Sequence, residues 1–396
     1  MTATEHPSPV VDPAEVDDIA AEAQRHGWFA LDLEFMTEGR YVADLSLVQV
    51  AWGDIDHPSV AAIDPLEVDA RPLIELAGDD RTDVILHSAQ ADLALIGLGF
   101  GIRAHRVFDT QIAAAFLGLG EQIGYGALVE QMTGVHLDKG SQYTEWSRRP
   151  LSPDQLRYAL DDVRYLPQVW RALRASLEER GRLAWVDDEC DRLAETWSER
   201  TPPEEMYHRV RGWNSLKRRS QGALRAVAAW REQEALRSNR PPSWIMNDRS
   251  LLELARRPPR DLGELAAVRG LGEGVAQRYG RAILEAVARG MDDPPPAEAQ
   301  PPRIPNLGQA WPAILSGIVQ VRCHEAEIAP RFVATRRDID ELIAWWLTGD
   351  REHEPPLAVL SGWRRDLVGR DLVAWLRGET TVAVDQTTEA GVRIEG

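Results

Sequence analysis

Two apolar runs near the start of the chain, residues 28–35 (WFALDLEF) and 45–52 (LSLVQVAW), are bulky, short and one loop apart, and read as sheet strands. Residues 59–63 read as a third strand, and 84–87 and 106–108 as short strands that lead into helices. Helical periodicity follows over 89–98, 110–117, 126–133 and 153–177, with Ser152 placed to cap the last and Pro153 in its first turn. A strand hairpin followed by alternating helices predicts an α/β layer fold. After about Trp185 the pattern is helical only. A long helix is expected over 215–234, a break at Pro241-Pro242, a helix connection at Gly270-Leu271-Gly272, and further helices over 339–347 and 366–376.

This pattern divides the chain at 1–207, 208–290, a proline-rich linker over 291–306 (MDDPPPAEAQPPRIPN), and a last helical domain over 307–396. The linker implies some independence for the last domain. No apolar stretch approaches the roughly 20 residues that span a bilayer. The N-terminal residues have no basic start followed by an apolar run, and Cys190 and Cys323 have no metal-ligand spacing. A cytoplasmic protein without disulfides is expected.

Charge changes the picture. The net of −18 argues against a polyanionic partner. It is, however, segregated: residues 1–208 carry −21, residues 209–290 carry +9, and residues 291–396 carry −6. One segment is built to meet an anion and its neighbours are not.

The acidic part contains a candidate centre. Asp32 and Glu34 are two apart in one strand, so both carboxylates leave the same face, while Leu31, Leu33 and Phe35 face a core. Asp92 opens a helix after a strand. Asp162 lies one turn beyond Tyr158 on the same helix face, a relation that the adjacent Asp161 does not share. Each signal alone fits a solvated surface, but all four acids together suit hard cations, magnesium or manganese. Two such ions can clamp the attacking and leaving oxygens of a phosphodiester, and a tyrosine can orient the water.

LDLEF with LSLVQVAW, then ILHSAQADLALI and VFDTQIAAAFLG, then WSRRPLSPDQLRYALDDVRYLPQVW, resemble in order the three exonuclease motifs of the ribonuclease D family. The resemblance covers about residues 25–175 and belongs to the tyrosine-containing branch of the DEDD exonucleases. It implies a ribonuclease H-like mixed sheet flanked by helices. It also implies Asp32, Glu34, Asp92 and Asp162 as ligands of two divalent cations, with Tyr158 positioning the nucleophilic water. Asp109 reads as structural or capping, His87 as a packing residue or a phosphate contact, and Gln49 as a buried polar group or a substrate contact. Residues 139–149 (KGSQYTEWSRR) interleave Lys139, Arg148 and Arg149 with Tyr143 and Trp146, which suits a single strand or a loop anchored by Trp146. Gln142-Tyr143-Thr144 departs from the Gln-Arg-Thr expected of the family.

Residues 213–286 resemble the helicase-and-ribonuclease-D C-terminal (HRDC) domain, and 307–378, with SGWRRDLVGRDLVAWLRG, its second copy in the family. Lys217, Arg218 and Arg219 are candidate phosphate contacts. Gly270 and Gly272 precede a helix N-terminus that could take an anion or simply make a tight connection. The resemblance implies an RNA 3′→5′ exonuclease that releases 5′-mononucleotides, trims structured precursors such as transfer RNA, and acts as a monomer. The same chemistry on DNA and an inert nucleic-acid-binding protein are the alternatives; no residue reports on the 2′-hydroxyl.

Overall fold

The computed structural model describes residues 8–137, 145–198, 200–296, 310–348 and 353–395. The first domain runs α1 (Pro13–His26), β1 (Trp28–Met36), β2 (Asp44–Gly53), β3 (Pro58–Ile63), α2 (Arg71–Leu76), β4 (Asp83–Leu86), α3 (Gln90–Leu95), β5 (Val107–Asp109), α4 (Thr110–Ala115), α5 (Tyr125–Thr133), α6 (Pro153–Arg164), α7 (Leu166–Glu179) and α8 (Leu183–Ser198). The sheet order is β3-β2-β1-β4-β5. β1 pairs antiparallel with β2 and parallel with β4, and β4 is parallel to β5. This is the expected mixed sheet with flanking helices.

The alternation of β1 assigns its two faces. Phe29, Leu31 and Leu33 join Val48 and Val50 under α1, which presents Val16, Ile19, Ala20 and Ala23. Trp28 and Ala30 point the other way, with Leu47 and Ala51, into a core closed by α6 and α7 through Leu156, Ala159, Val163, Val169 and Leu173. Asp32 and Glu34 continue that second face. The helix expected over 153–177 is two helices: Pro167 has no N–H to give and its ring clashes one turn back, so the chain breaks at Tyr165 (φ −100°).

The basic module contains α9 (Arg218–Ser238), α10 (Pro242–Ile245), α11 (Asp248–Arg256), α12 (Leu262–Ala266) and α13 (Glu273–Asp292). The backbones of α9 and α13 cross in contact at two glycines: a Cβ on Gly222 would sit 2.0 Å from the Gly290 carbonyl oxygen. Tyr207 and Val210 already belong to this module's core, so the unit begins before the boundary read after residue 207. Its last helix extends to Asp292, inside the stretch read as linker, and residues 297–309 lie outside those described.

The last domain, which includes α14 (Trp311–Glu325), α15 (Pro330–Val333) and α16 (Arg336–Thr348), is docked on the catalytic domain rather than swinging from the linker. Phe116 meets Phe332 at 5.3 Å and Trp363 at 5.4 Å between ring centroids, and Trp363 stacks on Trp185 at 5.0 Å. Arg364, buried, donates to the Phe332 carbonyl at 2.8 Å and pairs with Glu189. The two domains share one apolar core. A hairpin of β6 (Thr381–Val384) and β7 (Val392–Glu395), absent from the sequence reading, ends the described chain. Trp363→Ala is expected to destabilise the full chain by about 3 kcal/mol, read by chemical denaturation, as truncation of a buried indole does; an unchanged midpoint would mean that the shared core contributes nothing to stability.

Candidate active site

Asp32 stands opposite Gln49, and Glu34 opposite Leu47, across the β1–β2 ladder. α6 is started by a reciprocal capping box between Ser152 and Gln155 and carries Tyr158 and Asp162 one turn apart toward the same place. Carboxylate oxygens of Asp32, Glu34 and Asp162 lie within 4.8 Å of one another. Asp92 stands beside this group rather than within it. Its buried carboxyl accepts from the Leu33 backbone N–H and feels the Asp32 charge. Asp161 is committed elsewhere, to Arg164 at 2.9 Å, which separates it from Asp162.

Among the described residues, no Lys or Arg forms an ion pair with any of the four acids. Burial raises the Asp32 carboxyl. It pushes Glu34 from 4.5 up to about 8, with Asp32's charge as the second cause. Burial, followed by the charges of Asp32 and Glu34, raises Asp162, and burial with Asp32 raises Asp92. Burial and the charges of Asp162, Glu34 and Asp32 also raise the Tyr158 phenol, so it keeps its proton beside the acids. Gln49 is fully buried with neither amide atom hydrogen-bonded, on the sheet face that carries Asp32. Converging hard oxygens without a cationic partner fit a divalent cation.

Asp109 is the structural, capping residue that the sequence suggested. Its buried carboxylate caps α4 through the Gln111 N–H at 2.8 Å, and also accepts from Ser88 N–H at 3.0 Å and Ala89 N–H at 2.9 Å. Ser88 holds the left-handed conformation (φ 59°), so this clamp fixes the sharp turn that launches α3 and Asp92. His87, partly buried, bonds Thr110 at 2.9 Å and packs on Tyr125, the contacts of a packing residue.

The proposed strand contacts divide. Lys139 and Tyr143 lie outside the described residues. Trp146 is 4% exposed and packs near Tyr158, so it anchors the loop under the tyrosine and has no free face for a base. Arg149 is spent on Asp64 and on the carbonyls of Ser46 and Trp146; Arg148 stays exposed. Arg218 donates to the Pro295 carbonyl at 3.0 Å and Arg219 pairs with Asp292 at 3.8 Å, so both brace the module's ends, while Lys217 is exposed. Gly270 (φ 86°) turns against Ser250 and Asn247, the tight connection rather than an anion site, and Gly272 caps α13 without a side-chain bond. A cleft missed in the sequence gathers Arg249, Arg257, Arg260 and Arg269 from three segments of this module, together with Glu253, which pairs with Arg257 at 3.5 Å, and Glu264.

A mixed sheet that brings these acids and a tyrosine together defines a nuclease of the acidic 3′–5′ class, and the 3′-5′ exonuclease family model matches residues 7–178. The HRDC domain model matches 220–287, and the C-terminal HRDC domain model of ribonuclease D matches 309–372. Ribonuclease D of Granulibacter bethesdensis is 38% identical, over 96% of this chain and 95% of its own. Ribonuclease D of Gluconacetobacter diazotrophicus is 37% identical over 96% of each. The crystal structure of Escherichia coli RNase D, described as an exoribonuclease involved in structured RNA processing, superposes with a TM-score of 0.81 at 27% identity, covering 96% of this chain and 99% of that one. The chain belongs to the ribonuclease D family and is a 3′–5′ exoribonuclease. Divalent cations serve this family.

Raised carboxyl pKa values mean that the folded protein binds more protons than the unfolded one. Their stabilising contribution is therefore full below about pH 4 and lost as pH climbs through about 8 and about 9, the Glu34 and Asp162 values. The melting temperature of the metal-free protein should fall over that range, and magnesium or manganese should offset the fall. Asp162→Asn should raise the metal-free melting temperature by about 3 °C, the shift that relief of about 1 kcal/mol produces in a domain of this size, and diminish the response to cation. Calorimetry would read both, and a melting temperature that rises with pH in chelator would contradict this account of the acids. Asp109→Ala leaves several buried N–H groups unpaired and should cost at least about 2 kcal/mol in denaturant unfolding.

Proposed function

We propose that the protein removes 5′-mononucleotides one at a time from RNA 3′ ends and trims trailers of transfer RNA or other structured precursors. The observation that carries this reading is the convergence of Asp32, Glu34 and Asp162 within 4.8 Å, with Asp92 beside them and the Tyr158 phenol facing them. These four acids would hold two divalent cations, magnesium or manganese. Ions bound there supply Lewis-acid stabilisation of charge on the phosphodiester and a more acidic water. Tyr158, held protonated, has a hydroxyl that can bond the attacking water and aim it at phosphorus. Trp146 fixes the phenol ring from behind. Asp109 holds the turn that presents Asp92.

The acidic first domain repels RNA except where bound cations reverse the field. The affinity therefore belongs to the basic module, where Arg249, Arg260 and Arg269 line one cleft as candidate phosphate donors, Arg257 beside them being paired with Glu253. Lys217 and Arg148 are exposed and available to the same end. The E. coli relative's action on structured RNA supports the precursor-trimming reading. No helix among the described residues is long and apolar enough to cross a membrane, and we place the enzyme in the cytoplasm as a monomer.

An end-labelled structured RNA with a single-stranded tail tests this. With magnesium or manganese, the wild type should give a ladder that shortens from the 3′ end, and chelator should abolish it. Asp32→Asn should lose at least about a thousandfold, and Tyr158→Phe about a hundredfold, the range of a lost proton-positioning group. Activity untouched by Asp32→Asn would place the chemistry elsewhere, and matched DNA degraded faster than RNA would overturn the substrate assignment.

A further inference from the structure

The loop between β1 and β2 is gripped by the basic HRDC module at three points. The backbone N–H groups of Tyr41 and Val42 both donate to the Asn239 side-chain oxygen, at 3.0 and 2.8 Å. The Tyr41 hydroxyl donates to the Glu232 carboxylate. Gly39 is in the left-handed region (φ 71°), and a Cβ there would stand 3.1 Å from the Trp244 indole. These contacts join segments about two hundred residues apart in sequence, and each uses a group with a specific reason to be there. Asn239 takes the left-handed conformation (φ 46°) that ends α9, which aims its side chain out of the helix. Glu232 is 4% exposed, and Tyr41 is its one hydrogen-bonding partner among the described residues. A buried carboxylate with so few donors is costly, so the Tyr41 hydroxyl is the group that offsets its desolvation.

What the grip holds is the loop that leaves the acid-bearing strand. Met36, two residues past Glu34 in β1, lines a cleft of about 740 Å³ with Glu38, Arg40, Val42, Phe100 and Ser147. Three of these residues, Glu38, Arg40 and Val42, sit in the gripped loop. The cleft runs from the acid-bearing strand to the segment just after Trp146, which supports Tyr158.

We propose that Tyr41, Glu232 and Asn239 are positioning residues for catalysis: the docked HRDC module fixes the loop that continues the acid-bearing strand, and with it the cleft beside that strand as a place for the RNA end. This rests on the exoribonuclease site assigned above and adds to it that the module acts on turnover as well as on RNA capture. A module that only captured RNA would matter for long substrates alone. A module that shapes the cleft matters for every substrate, however short.

The experiment compares a trinucleotide RNA with a tailed hairpin RNA, using the full-length chain and saturating manganese. Tyr41→Phe, which removes one hydrogen bond, and Asn239→Ala, which removes two, should each lower kcat by about tenfold or more on both substrates, the size expected for loss of a hydrogen bond to a charged or buried group. Hairpin affinity measured by filter binding in chelator should stay within about twofold of wild type, since no phosphate contact is touched. Glu232→Gln keeps an oxygen that accepts from the Tyr41 hydroxyl and should keep most of the activity, whereas Glu232→Leu should match Tyr41→Phe. The proposal is overturned if the variants lose activity on the hairpin alone with weakened binding, or if kcat is unchanged on both. A wild type inactive on both RNAs, with the Asp32→Asn control no different, would overturn the site assignment itself and this inference with it.

Discussion

Four carboxylates crowded into a largely desolvated site, with no cation of the protein's own, form the constraint around which the catalytic domain is arranged. Two full charges at 4.8 Å repel by about 3–4 kcal/mol at an effective dielectric near 20. A few such pairs are comparable with the whole net stability of a domain, about 5–15 kcal/mol. The protein does not relieve this with arginine. The arginines nearest in sequence are used up by other acids: Arg164 by Asp161 and Arg149 by Asp64. Without a cation, protons taken up at the raised carboxyls relieve part of the repulsion, and a hard cation displaces them on entry, which is the condition a cation site needs.

Holding the repelling groups together demands rigid supports, and each is a different piece of ordinary backbone chemistry. Strand alternation fixes Asp32 and Glu34, with Leu31 and Leu33 buried behind them. The capping box starts α6, and helix pitch then brings Tyr158 and Asp162 onto one side. Asp109 ties the turn before α3 to β5, so Asp92 is placed by a neighbouring strand as well as by its own helix, whose α-helical residues run on into a π-helical turn at Ile96–Phe100.

These supports explain what could be read from the chain. Periodic features were legible: the i, i+2 acids, the i, i+4 tyrosine and acid, and the strands of the sheet all follow from local geometry. The non-periodic ones were not. Trp146 among cations reads equally well as a stacking platform, and only the packing of α6 buries it. Arg149 looks free until Asp64, 85 residues away, takes it. Arg218 and Arg219 head a helix as an exposed triplet would, but α13 returns antiparallel and its end accepts both. The break at Tyr165 was written in Pro167, yet the hydrophobic period runs through it and masks it. α1 carried a signal that went unused: Asp12-Pro13 caps it and Gly27 ends it.

The docking of the helical modules changes what the charge segregation means. A basic module on a flexible tether would raise the local concentration of RNA near an acidic enzyme and do no more. Here the last domain shares a core with the catalytic one through Phe116, Trp185 and Trp363, and the basic module holds the loop that leaves the acid-bearing strand. The charge that attracts the substrate and the charge that cuts it are thus fixed relative to one another. Rigid separation also lets the catalytic domain remain strongly acidic, since capture does not depend on its own surface. The segregation of −21 and +9 is in that sense a structural statement: the two charges work together only because apolar contacts and buried hydrogen bonds, indifferent to salt, keep the domains in register.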